Sequence, residues 1–207
     1  MLKSIFAAAL VAVASAANEP NEFSGTFSYE QATIAHQLCK ASYCGYENYM
    51  THQWNDPETA GFVVSNVIYN QQFDIEGYVG YLPSDEAIWI VFRGSYSKVN
   101  FYSDYDVFWV AYDDFGFQCV GCLVARGFYH PMHTVRDDVV RWVKDLKSQY
   151  PNYQIKTTGH SLGASFSAMM GMYLISQGVQ VDQQINFGTM RNGNLAYARF
   201  SEKVFPN

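Results

Sequence analysis

The segment Gly159-His160-Ser161-Leu162-Gly163 constrains this chain more than any other. A Gly/Ser/Gly match at that spacing arises by chance in roughly one chain in fifteen of this length, so its setting carries the argument. Gln154 to Thr158 before it reads as a short strand. Ala164 to Gln177 after it is rich in small residues and reads as a helix closed by Gly178. A strand entering a helix through so tight a turn needs glycine on both flanks, and it strains the central residue. The serine hydroxyl is thereby exposed, backed by the free N–H groups and positive dipole end of a helix start. This is the setting of a nucleophile elbow, and it places the Leu162 N–H to meet a negative oxygen.

The rest of the chain alternates strands and helices. Ser28-Tyr29-Glu30-Gln31 looks like a capping box, followed by a helix with Ile34, Leu38 and Ser42 on one stripe that ends by Gly45. Phe62 to Tyr69 and Ile75 to Leu82 read as strands. Ala87 to Phe92 is a continuous apolar run, the mark of a strand buried on both faces. Arg93-Gly94-Ser95 ends that run, and the loop leaving it can bring an N–H and a hydroxyl beside the elbow. Residues 96–126 show no clear period. Val135, Val139, Trp142, Leu146 and Tyr150 fall at helical spacing, and Pro151-Asn152 stops that helix. Gln184 to Phe187 predicts a strand and Leu195 to Lys203 a helix. The alternation predicts an α/β fold with a mostly parallel sheet and helices on both faces, in one domain.

Composition excludes some functions. The 207 residues carry 13 Lys+Arg against 19 Asp+Glu, a net charge of −6, and only 15% are charged. Disordered chains are charge-rich and apolar-poor, so disorder does not fit. Nucleic-acid binding, which needs a basic field, does not fit either. The 35 aromatic residues (16 Tyr, 15 Phe and 4 Trp) point to an aromatic core or to a surface built to meet apolar matter. Lys3, the apolar run Ile5 to Val13 and Ala14-Ser15-Ala16 read as a secretory signal peptide over residues 1–17. No later run is long enough to cross a bilayer, so the mature chain is expected to be secreted or lumenal, with no transmembrane segment. In an oxidising compartment, the four cysteines favour two local bridges, Cys39–Cys44 and Cys119–Cys122. A zinc site or a redox C-x-x-C are the alternatives, and no cofactor is called for.

Several stretches together resemble the class 3 (fungal-type) lipase family of α/β-hydrolases, from about residue 28 onward. They are Ile90 to Ser95, Cys119-Val120-Gly121-Cys122 leading to Gly127-Phe128-Tyr129, the helix ending Gln149-Tyr150-Pro151, Thr158 to Ser165, and Asn186 to Asn194. The resemblance implies that Ser161 is the nucleophile and that Ser95 and Leu162 form the oxyanion hole. It places a lid at about Ser97 to Asp106, with Tyr96, Phe101, Tyr102 and Tyr105 meeting lid or substrate. The segments Gln118 to Cys122 and Gly159 to Ser165 look especially like the feruloyl-esterase branch, in which the C-x-x-C is a local disulfide. Met190 stands where the family usually has Pro, and Ala125-Arg126 where it often has His.

The family's triad runs Ser, Asp, His. Beyond Ser161 this sequence has Asp182 and Glu202 as its only acids and no histidine. Asp182 reads as a solvated turn residue, His160 as a packing residue, and His130 and His133 as loop residues before a helix. His36 and His52 read as surface residues. The expectation is a C-terminally truncated hydrolase, lacking the C-terminal strands and helices, with little or no turnover as written. The substrate expected is an acylglycerol ester, met at a lipid–water interface. The alternatives are a feruloyl or other soluble ester, or a non-catalytic protein that binds lipid or a partner.

Overall fold

The computed structural model describes residues 28–100, 106–113 and 115–205. The expected signal peptide and Phe101, Tyr102 and Tyr105 lie outside them. The elements are α1 (Tyr29–Ala41), β1 (Val63–Asn70), β2 (Ile75–Leu82), β3 (Ala87–Phe92), β4 (Trp109–Ala111), β5 (Leu123–Ala125) and α2 (Arg126–His133). They continue with α3 (Arg136–Gln149), β6 (Gln154–His160), α4 (Leu162–Ser176), β7 (Gln183–Phe187) and α5 (Leu195–Val204).

Five strands form one sheet in the order β1-β2-β3-β6-β7. β2 runs antiparallel to both its neighbours, and β3, β6 and β7 are parallel. Four of the five strands therefore point the same way, as strand–helix alternation demands. β3 is buried along its whole length, which its apolar run requires. Ile88, Ile90 and Phe92 enter a core shared with α2, α3 and α4. Ala87, Trp89 and Val91 enter a second core on the other face, under α1. Alternate residues of one strand thus serve both layers. β7 forms one edge of the sheet, with no neighbour on its outer side among the described residues.

α1 starts where the sequence places it, with the Gln31 N–H donating to Ser28 Oγ at 3.2 Å. The Gln31 side chain does not close the capping box. It bonds Asp85 and Lys156, both at 2.7 Å, within a buried ion pair whose Asp85 also accepts from Trp89 Nε1 at 2.9 Å. A lysine in mid-sheet needs such partners.

Two expectations are corrected. His130 and His133 lie on a helix and not in a loop: within the aperiodic stretch β4 and β5 pair antiparallel, and α2 follows directly. The Cys39–Cys44 bridge does not form, and both thiols are free. Cys39, on the buried side of α1, directs its Sγ to Thr158 Oγ1 at 3.2 Å, whereas Cys44 lies past the helix end and is exposed. Cys119 and Cys122 are bonded to each other, with their Cα atoms 5.5 Å apart.

Candidate active site

β6, with a parallel neighbour on each side, delivers Ser161 to the C-terminal end of the sheet. Ser161 has φ 53° and ψ −121°, a conformation L-residues avoid. Such strain costs on the order of 1–3 kcal/mol and persists only where the surroundings impose it. Here they do. The Ser161 N–H donates to Phe187 O at 2.9 Å, and its carbonyl accepts from the Ala164 and Ser165 N–H groups at 3.0 and 3.3 Å. The residue is half-buried, not sealed in.

Both flanking glycines are needed for space. A Cβ at Gly159 would lie 2.1 Å from Gly163 O. One at Gly163 would lie 2.3 Å from Phe92 O and 2.7 Å from Arg93 O. The second contact matters more, because it sets the elbow directly against the chain leaving β3. Leu162 opens α4, and the first N–H groups of a helix have no partner within it. α4 is buried over most of its surface, which anchors that helix start.

The loop Gly94–Tyr96 is held from the other side. Arg93 is 5% exposed and pairs with Asp74 at 3.0 Å and with Glu76 at 2.6 Å. Asn100 Oδ1 accepts from the Tyr96 and Ser97 N–H groups at 3.1 and 3.3 Å and from Arg93 at 3.2 Å. Its Nδ2 donates to Asp74 O at 3.0 Å. Burial pushes the Glu76 carboxyl above the usual range, and Arg93 pulls it down. Tyr49 Oη donates to the same carboxylate at 3.3 Å. Sequence reasoning missed Asp74, Glu76 and Asn100. The available signal was Arg93 itself, since a guanidinium ending a fully apolar strand must find acids.

The other sequence candidates are dispersed. Tyr96 is 70% exposed beside the loop, with the Arg93 guanidinium over its ring at 5.2 Å. His160 is exposed, and its Nδ1 turns to Tyr43 Oη at 2.7 Å. His133 stands edge-on to Phe115 and Tyr129 in an aromatic cluster. His52 packs on Trp54, and His36 on Phe187. Asp182 bonds the Ile155 N–H at 2.8 Å, at the opposite end of β6 from Ser161. At about 3.3 Å per strand residue the separation is roughly 20 Å, so Asp182 is no partner for that serine. Among the aromatics of 95–118, Tyr112 and Phe115 are core residues, while Phe108 is 71% exposed.

A largely parallel sheet covered on both faces, with a strained serine between a central strand and a buried helix, defines an α/β-hydrolase fold. A family model described as lipase (class 3) matches residues 89–207. The chain belongs to the class 3 lipase family. It is 33% identical over 131 residues to the secreted mono- and diacylglycerol lipase A of Penicillium cyclopium, covering 61% of this chain and 40% of that protein. It is 29% identical over 107 residues to the secreted alkaline triacylglycerol lipase of the same organism, covering 51% and 38%. Among solved structures, a fungal lipase–inhibitor complex matches with a TM-score of 0.76 and 26% identity, covering 84% of this chain and 66% of that one. The Rhizomucor miehei lipase–propeptide complex gives 0.74 and 26%, covering 86% and 59%. The chain thus spans less than half the length of those two curated relatives. No helix among the described residues is long and apolar enough to cross a membrane.

Proposed function

We propose that Ser161 is the nucleophile of a secreted ester hydrolase acting on acylglycerols. The observation that carries this is the packing of Gly163 on Phe92 and Arg93, which joins the strained serine turn to the loop bearing Ser95. Ser161 Oγ attacks the ester carbonyl and the alcohol leaves. Water then hydrolyses the acyl-serine. The tetrahedral oxyanion of each step is met by donors from Leu162 and Ser95. A serine hydroxyl needs a base, and the 207 residues carry no histidine beyond Ser161. Full turnover requires a histidine and an acid from outside these residues. Without them the oxyanion hole and binding leave about 10³–10⁴-fold catalysis over water. Tyr96, exposed beside the Ser95 loop, meets the substrate at the lipid–water interface. Residues 1–17 direct export, as the secreted relatives suggest.

Fluorophosphonate labelling of the chain together with the segment that supplies the histidine and acid, compared with Ser161→Ala, tests the nucleophile. Labelling confined to the parent is the expected result, and equal labelling of the two would defeat the proposal. Nitrophenyl esters of increasing chain length, set against methyl ferulate, then fix the acyl group. Faster turnover of the ferulate would move the substrate from lipid to aromatic esters.

A further inference from the structure

The ladder between β3 and β6 ends with Phe92 opposite Gly159. Beyond that pair, sheet hydrogen bonds no longer set the distance between the two strand ends, yet Ser95 and Leu162 both lie past it. The Arg93–Asn100 network holds the first loop to the β1–β2 turn and to Glu76 of β2, while Gly163 packs at its base.

A third segment touches both turns nearer to Ser95 and Ser161. Tyr43 lies in the 3-10 turn Ser42–Cys44 that follows α1. Its Oη is 2.7 Å from Nδ1 of His160, the residue before Ser161. The same oxygen lies hard against Gly94, the residue before Ser95. A Cβ at Gly94 would fall 2.2 Å from Tyr43 Oη and 2.6 Å from His160 O, so the three residues meet at one point. Tyr43 Oη and His160 Nδ1 share one hydrogen bond, in which the phenol oxygen has both a proton to give and lone pairs to accept with.

We infer that Tyr43 is a positioning residue for the proposed acyl transfer. Its hydroxyl ties the Gly94–Ser95 loop to the His160–Ser161 turn and so sets the spacing of the two oxyanion donors. The inference rests on the reading of Ser161 as nucleophile. Donors preorganised at the wrong spacing lose most of their effect, because displacements near 1 Å already matter.

Tyr43→Phe keeps the ring and removes only the bridging oxygen. Amide hydrogen exchange is expected to quicken about tenfold at Gly94 and Ser95, as the loop loses its tie to the His160–Ser161 turn and opens more often, with Ile88 to Val91 unchanged. Unchanged exchange at Gly94, or equal quickening along β3, overturns the inference. In fluorophosphonate inactivation of the chain together with the segment that supplies the histidine and acid, the maximal rate constant should fall about tenfold at unchanged inhibitor affinity. His160→Asn, whose Oδ1 can stand where Nδ1 stood, should retain most of that rate, and His160→Leu should match Tyr43→Phe. A parent rate equalled by Tyr43→Phe sinks the positioning role alone. A parent that labels no better than Ser161→Ala sinks the nucleophile and this inference with it.

Discussion

At the scale of single residues, two atoms' worth of space decides whether the site exists. Gly163 lies so close to Phe92 and Arg93 that a methyl group must push the elbow off the neighbouring loop. Gly163→Ala is expected to cost about 1–3 kcal/mol, the usual penalty of overpacking. It should also slow Ser161 labelling, because the loop carrying Ser95 is displaced with it. An unchanged urea midpoint would show that the two turns do not touch. Cys39 offers a separate test. Burial pushes its thiol from 9.0 up to about 12, so the native protein keeps a proton that the unfolded chain releases. Stability contributed by this group is complete below pH 9 and is lost as pH rises towards 12. The slope is at most about 1.4 kcal/mol per pH unit. Urea midpoints between pH 8 and 11 should fall more steeply for the parent than for Cys39→Ala. A thiol reagent at pH 8 should modify Cys44 in the folded protein and Cys39 only after denaturant is added.

At the scale of elements, what could be read from sequence is what repeats. β3 was legible because six apolar residues in a row, too few for a helix and closed by Arg93-Gly94, mark a doubly covered strand, and α3 because its apolar stripe recurs at helical spacing. β4 and β5 span three residues each, too few to show alternation. α2 was obscured by Pro131, which interrupts helical hydrogen bonding, and is held by burial of Phe128, Tyr129 and Met132. The same divide runs through the site. The elbow and the Arg93-Gly94-Ser95 turn are local patterns and could be found. Asp74, Glu76 and Tyr43 reach their partners across 17 to 117 residues, and no local period records such pairings. The network around Arg93 supports a third prediction. Arg93→Met would leave Asp74 and Glu76 facing each other with no cation, at a cost of about 3–5 kcal/mol. Thermal unfolding monitored by circular dichroism would measure it, and a midpoint within a degree of the parent would show that the cluster is solvated.

At the scale of the molecule, the aromatic excess is shared between interior and surface. Trp89, Tyr49, Tyr78, Phe92 and Phe115 fill the two cores, while Tyr96 and Phe108 face solvent. The site stands at the carboxyl ends of β3 and β6, where open α/β sheets place their ligands. The opposite flank of the sheet follows another logic. Gln183 to Phe187 carries no charge and no proline, the usual means of blunting such a margin. Among the described residues nothing pairs with its outward amides and carbonyls, which form a template on which a strand from any source can lay itself down. Concentrated solutions of the 207-residue chain should therefore scatter more light as protein is added, and Gln183→Lys should suppress that growth. Scattering that stays flat with concentration would mean the margin is already guarded. If the growth is seen, the surface of this chain most eager for company is not the one that handles esters.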